Sequence, residues 1–240
     1  MLNIRLVKTP QELESVYRLR YQVYVEELGA TMEYADHQQK SLSDEWDKTA
    51  DIIGAWQNDE LVGCVRLNYS HNTDLSEYEV HYHPLVKETV LKWKPGGISV
   101  GSKLVVAKAF RQTNFGAKLC DALYAQTHVR DSYLNYLTCQ INLVFMYRRW
   151  GWRICGQGFF HPEAGWLTPM VLVVQDYEYL QHIKSPFASI CARYPINQVE
   201  ARMLREIYST GSVSDLSFGE EARSENIGRS RSPYRVTEDL

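Results

Sequence analysis

The chemically capable residues of this 240-residue chain fall in three groups. Residues 103–117, Lys-Leu-Val-Val-Ala-Lys-Ala-Phe-Arg-Gln-Thr-Asn-Phe-Gly-Ala, read as a strand feeding a glycine-containing turn and then a helix. Such a turn leaves backbone N–H groups facing outward at the helix N-terminus, where the dipole also favours negative charge, so it can hold phosphate oxygens. In the second group, Arg20 falls on an otherwise apolar stripe between Tyr17 and Tyr24, and a charge there needs a partner or a ligand. Asp44 and Asp47 can pair Arg20 and Arg66, because planar guanidinium groups accept carboxylates two bonds at a time. Either these four hold the N-terminal helix and loop over a sheet, or one arginine is left to clamp a carboxylate. The third group is Met146-Tyr147-Arg148-Arg149-Trp150-Gly151-Trp152, where an aromatic-Tyr pair closes a helix, Gly151 can take the left-handed C-cap conformation and Trp152 opens a strand.

The elements that must position these groups follow from periodicity. Residues 3–8 read as a strand, and Thr9-Pro10-Gln11-Glu12 is a capping box with proline at the first helical position. The helix it starts carries Leu13, Val16, Tyr17, Tyr21, Tyr24 and Leu28 at helical spacing. Residues 51–56 and 61–69 form a hairpin around Gln57-Asn58-Asp59-Glu60, and 70–97 is mostly loop. A strand over 98–106 precedes a helix to about Arg130, a strand over 134–141, a short helix to Trp150, and strands over 152–159 and 168–175. Val199, Met203, Leu204 and Ile207 predict a last amphipathic helix. Residues 1–208 thus read as one domain. Residues 209–240, with seven Ser, three Gly and ten charged residues, have too little apolar surface to pack and read as a disordered tail.

Composition narrows the function classes. A hydrophobic share of 45% with 23% charged is globular, and no apolar run approaches the roughly 18 residues of a membrane span. The start, Met1-Leu2-Asn3-Ile4-Arg5, lacks the layout of a secretion signal, so a cytoplasmic protein is expected. Cys64, Cys120, Cys139, Cys155 and Cys191 are odd in number and widely spaced, the pattern of buried structural thiols and not of disulfides or zinc. A net charge of −3 argues against bulk attraction to nucleic acid. His81, His83 and His161 can act through water, and His81 with His83 lacks a third ligand, a carboxylate at recognisable spacing, for a metal site. Sixteen Tyr and six Trp suit either a core or the walls of an apolar pocket with polar edges.

The phosphate-type turn at 103–117 followed by the Tyr147 to Trp152 pattern resembles the GNAT superfamily of N-acyltransferases. That resemblance implies an α/β fold with a mixed central sheet splayed between two strands and helices on both faces. It implies that Leu104, Val105, Val106, Arg111, Asn114, Gly116 and Ala117 bind the pantetheine and phosphate of an acyl thioester, with backbone N–H groups around Leu104 to Val106 as an oxyanion hole. It also implies that Tyr147 gives a proton or hydrogen bond to the departing thiolate, and a phenol suits because it stays protonated near neutral pH. The family turn reads Arg-x-x-Gly-x-Gly/Ala, and here Asn114 replaces its first glycine. A side chain there crowds a diphosphate, whereas the single phosphate of acyl carrier protein asks less of the turn.

Arg20, Tyr24, Glu26, Asp44, Asp47 and Arg66 resemble the N-terminal signature of acyl-homoserine lactone synthases, and His161-Pro162 with Pro169-Met170 is closer to long-chain N-acyl amino acid synthases. By that likeness Arg20, Tyr24, Asp44, Asp47 and Arg66 serve the acceptor side and Glu26 is the candidate base. Val100 stands where the lactone synthases carry an acid two residues before Ser102, which argues against a bound S-adenosylmethionine amine. Lys103 stands where they carry arginine. The implied reaction moves a medium or long acyl group from acyl carrier protein, or alternatively coenzyme A, to the amine of an amino acid or related molecule. The other readings are a lactone synthase, a coenzyme A-dependent acetyltransferase and a non-catalytic acyl- or carrier-binding module. An acidic carrier would dock on Lys103, Lys108, Arg111, Lys118, Arg148 and Arg149. No metal or permanent cofactor is required.

Overall fold

The structure is a computed structural model that describes residues 2–81, 86, 90–92 and 96–209. His83 and the expected tail beyond Ser209 lie outside the described residues. The capping box forms as read: Thr9 accepts from the Glu12 N–H, Glu12 accepts from the Thr9 N–H, and helix α1 runs Pro10–Tyr21 after strand β1, Leu2–Leu6. A π-helical turn, Gln22–Glu27, prolongs α1 and carries Tyr24, Glu26 and Glu27. A two-residue ribbon, β2 (Ala35–Asp36) and β3 (Ser41–Leu42), precedes the 3₁₀ turn Glu45–Lys48, for which Asp44 is the N-cap. The ribbon was not foreseen, since its strands are too short to show a period.

The hairpin β4 (Asp51–Gln57) and β5 (Glu60–Tyr69) turns through Asn58 and Asp59, both at positive φ. Within the loop expected over 70–97, a short helix α2 spans Ser76–Glu79. Then come β6 (Ile98–Val106), helix α3 (Phe115–Val129), β7 (Leu134–Gln140) and helix α4 (Val144–Trp150). Gly151 closes α4 at φ 123, and a side chain there would meet Leu180 Cδ2 at 2.6 Å, so glycine is required on both counts.

The strand expected over 152–159 is instead two pieces, β8 (Arg153–Ile154) and β9 (Phe159–His161), both paired with β10 (Gly165–Val173). Pro169 of β10 explains the break. Its carbonyl accepts from the Cys155 N–H on that side, yet it has no N–H to return, so the ladder cannot continue. Helices α5 (Tyr177–His182) and α6 (Ala188–Cys191), absent from the sequence reading, precede α7 (Gln198–Ser209), the amphipathic helix that was expected.

The eight-stranded sheet has the order β1-β4-β5-β6-β7-β10-β8, with β9 on β10. All pairs are antiparallel except β6 with β7. Alternation along the strands assigns the layers: Ile53, Val65, Val106 and Leu172 pack beneath α3, whereas Ile52, Cys64 and Val105 pack beneath α1 on the opposite face. Val171 and Val173 join Ala201 and Leu204 of α7 on that second face. Of the five cysteines four are buried and Cys155 is partly so, and all are free thiols.

Candidate functional site

The sheet opens at its centre. The parallel β6–β7 ladder joins only Ile98, Ser99 and Val100 to Leu134, Asn135 and Tyr136. Beyond that, residues 101–106 of β6 remain on β5 and residues 137–140 of β7 remain on β10, so the two strands part. A bulge accompanies the divergence: the β5–β6 register shifts between Cys64 and Arg66, opposite Lys103, whose φ is 53. A bulge adds twist and bends the strand that carries it. A non-glycine residue at positive φ costs on the order of 1–3 kcal/mol and persists only where its surroundings demand it.

Tyr147 lies in the last turns of α4 and is buried. Its ring makes edge contacts with Trp150 and Trp152, at 6.0 and 5.5 Å between centroids. It belongs to the large apolar cluster that also contains Val106 from β6 and Leu137 and Cys139 from β7. The two recorded cavities, of about 480 and 330 Å³, lie elsewhere, and Tyr147, β6 and β7 line neither.

The phosphate-type turn is preceded by a 3₁₀ turn, Lys108–Phe110, and Asn114 is the N-cap of α3. The Asn114 side chain makes no capping bond; Thr113 Oγ1 accepts from the Phe115 N–H at 3.3 Å instead. Gly116 has room for a side chain, since an added Cβ would meet only Val106 Cγ2 at 3.7 Å. Arg111 is engaged within the protein: its Nε donates to the Val106 carbonyl at 2.9 Å, and its Nη2 pairs with Glu27. Val105 and Val106 are buried and paired with Cys64 and Gly63, while Leu104 and Ala117 are half-buried.

On the α1 face the acid-base cluster is a single network. Arg20 Nη1 donates to both oxygens of Asp47, at 2.8 and 2.9 Å. Arg66 Nη1 pairs with Asp44 and reaches Asp47 Oδ1 at 3.2 Å, and its Nε donates to Ser102 Oγ at 2.9 Å. Burial opposes ionisation of Asp47, but Arg20, Arg66 and the Asp44 backbone outweigh it and hold the carboxyl below the usual range. Lys103 Nζ stands 3.7 Å from Asp44 Oδ2 and 5.5 Å over the Tyr24 ring. Burial lowers its pKa, Asp44 opposes that, and Arg66 and Arg20 add to it.

Of the residues read for the acceptor side, Arg20, Asp44, Asp47 and Arg66 share this network, and Tyr24 lies under Lys103. Glu26 is not in contact with them; it is exposed and pairs with Lys40 at 2.9 Å. Glu77 of α2 is a residue the sequence reading missed, because it lay in the weakly periodic 70–97 segment. Although Glu77 is exposed, desolvation raises its pKa, with His161, Arg66 and Lys103 pulling it down and Asp44 pushing it up. His161 Nδ1 accepts from the Glu163 N–H at 3.2 Å, and His81 stacks on Phe159 with its pKa lowered by burial. Among the described residues no three His, Cys, Asp or Glu side chains form a metal-type group.

Residues 19–120 match the model of the acetyltransferase (GNAT) domain. Over that stretch the chain is similar to the GNAT domain. Its structure is similar to that of FeeM, an N-acyl amino acid synthase from uncultured soil microbes, with 12% identity, 79% of this chain and 98% of that one covered, and a TM-score of 0.58. BjaI, a CoA-dependent acyl-homoserine lactone synthase, aligns at 14% identity over 85% of this chain and all of its own (100%), with a TM-score of 0.58. Escherichia coli ElaA aligns at 20% identity over 72% and 99%, with a TM-score of 0.51. At such identities these likenesses speak to the fold: the mixed, splayed sheet flanked by helices is the GNAT fold. No curated protein matches by sequence. No helix among the described residues is long and apolar enough to cross a membrane.

Proposed function

We propose that the protein transfers a medium- or long-chain acyl group from a pantetheine thioester to the primary amine of a small acceptor, an amino acid or a related molecule. The observation that carries this reading is the opening between β6 and β7, with Tyr147 buried in the apolar cluster to which both strands contribute. Strand edges that have lost their neighbour offer backbone N–H and C=O groups to the amides of a pantetheine arm. There Tyr147 gives its proton to the departing thiolate, and β6 backbone N–H groups around Leu104 to Val106 hold the carbonyl oxygen as it gains charge.

Acyl carrier protein is the favoured donor. Arg111 already answers to Glu27 and Val106, and Asn114 stands in the turn, so a single phosphate suits this site better than a diphosphate. Val100 supports an amine acceptor other than S-adenosylmethionine: it is fully buried among Ile98, Leu134 and Tyr136, with no carboxylate for a cationic sulfonium substrate. Incubation with acyl carrier protein thioesters and a panel of amines is expected to release thiol and yield an amide visible by mass spectrometry. Absence of both products would overturn the reading, and methylthioadenosine formed from S-adenosylmethionine would replace it with lactone synthesis.

Glu77 is better sited than the surface residue Glu26 to take the acceptor's proton. A base with a raised pKa is inactive below that value, so kcat/KM should rise with pH through a point above the ordinary glutamate range. Glu77→Gln is expected to cut kcat/KM by about 100-fold and to remove this acid limb. A limb that survives in the variant belongs to another group.

A further inference from the structure

The acid-base network on the α1 face holds one positive charge more than it neutralises. Arg20, Arg66 and Lys103 face two carboxylates, Asp44 and Asp47. Donors are in surplus as well: Arg20 Nε and Nη2 find no acceptor among the described residues. Glu77 is exposed and forms no ion pair with a described cation, so it is not counted in the cluster.

Access separates the members of this network. The side chains of Arg20, Asp47 and Arg66 are 1%, 2% and 4% exposed, which closes them to solvent. Neither arginine is therefore available to a substrate. Asp44 and Lys103 keep 17% and 19% of their side-chain surface. Lys103 is also the cation whose bonds are unspent, for its ammonium stands 3.7 Å from Asp44, beyond ordinary hydrogen-bond length, and it donates to no described residue. The bulge that sets its φ to 53 lies on the stretch of β6 that has left β7, whose ladder ends at Val100.

We infer that Lys103 is the anchor for a carboxylate on the acceptor, so that the acceptor class is the amino acid and not the simple amine. This rests on the acyl-transfer reading above and assigns the clamp to a lysine at the β6 bulge. A carboxylate there supplies the missing negative charge and accepts the idle ammonium donors, while the acceptor's amine is left near Asp44 and Glu77.

The test compares each amino acid that the wild type acylates with its own carboxamide, which keeps the amine and loses the charge. The wild type should favour the acid by about 10-fold or more in kcat/KM. Lys103→Met should erase that preference by raising KM about 10- to 100-fold more for the acid than for the carboxamide, and Lys103→Arg should restore most of it. Acylation of acid and carboxamide alike by the wild type overturns the clamp and leaves acyl transfer standing, as does a Lys103→Met enzyme that still prefers the acid. If Lys103→Met fails to fold, the wild-type ratio and the Lys103→Arg enzyme decide. A wild type that acylates no amine overturns the acyl-transfer reading, and the clamp with it.

Discussion

Replacement of Tyr147 by phenylalanine is expected to lower kcat for amide formation by about 100-fold or more while KM for the acyl donor stays within a few-fold. General-acid groups contribute roughly 10²- to 10⁴-fold, and a leaving thiolate inside a closed apolar cluster has little water to turn to, which favours a substantial effect. The variant keeps the ring and its contacts with Trp150 and Trp152, so packing changes little. Loss of a buried hydroxyl's hydrogen bond costs about 1 kcal/mol of stability. Rapid-quench measurement of a single turnover with an acyl carrier protein thioester separates the two effects, because it reads the chemical step apart from product release. A variant that transfers acyl groups at the wild-type rate would mean that the phenol donates nothing to the reaction and that the proton comes from elsewhere.

Asp47→Asn is expected to be the most destabilising polar substitution, at about 3–5 kcal/mol in urea or guanidinium unfolding. Asp47 is the common partner of Arg20 and Arg66, and its loss leaves the buried Arg20 without its counter-charge and Arg66 with Asp44 alone. The exposed Lys40–Glu26 pair serves as the control, since a surface ion pair contributes at most about 1 kcal/mol. The pH dependence has a definite direction. Because the folded state holds the Asp47 carboxyl below its unfolded value, its stabilisation is complete above the unfolded carboxylate range and is lost as pH falls through the lower folded value. The wild type should therefore lose stability on acidification more steeply than Asp47→Asn. Equal acid slopes, or a loss under about 1 kcal/mol, would show that the arginines are satisfied without this carboxylate.

Much of the architecture was written locally. The capping box at Thr9 to Glu12, the Tyr147 to Gly151 helix stop and the strand-turn-helix at 103–117 depend on neighbours a few residues apart, so sequence spacing is enough to reveal them. Arg20 was recognisable as needing partners because a charge on an apolar stripe cannot be left alone. Its partner Asp47 lies 27 residues away, yet both were identifiable, since carboxylates and guanidiniums buried together have few alternatives.

What the tertiary structure alone decided depends on contacts between distant segments. That Arg20 and Arg66 are both closed to solvent, leaving Lys103 as the reachable cation, follows from burial in the folded network and from a register shift against β5. Glu77 could not be singled out from the sequence, because a short helix in an aperiodic stretch leaves no trace in spacing. The split of 152–159 into two strands came from Pro169 on a neighbouring strand. The opening itself is of this kind: residue types predict that β6 and β7 are strands, but where their ladder ends is set by twist, by the bulge at Lys103 and by the helices packed on either face.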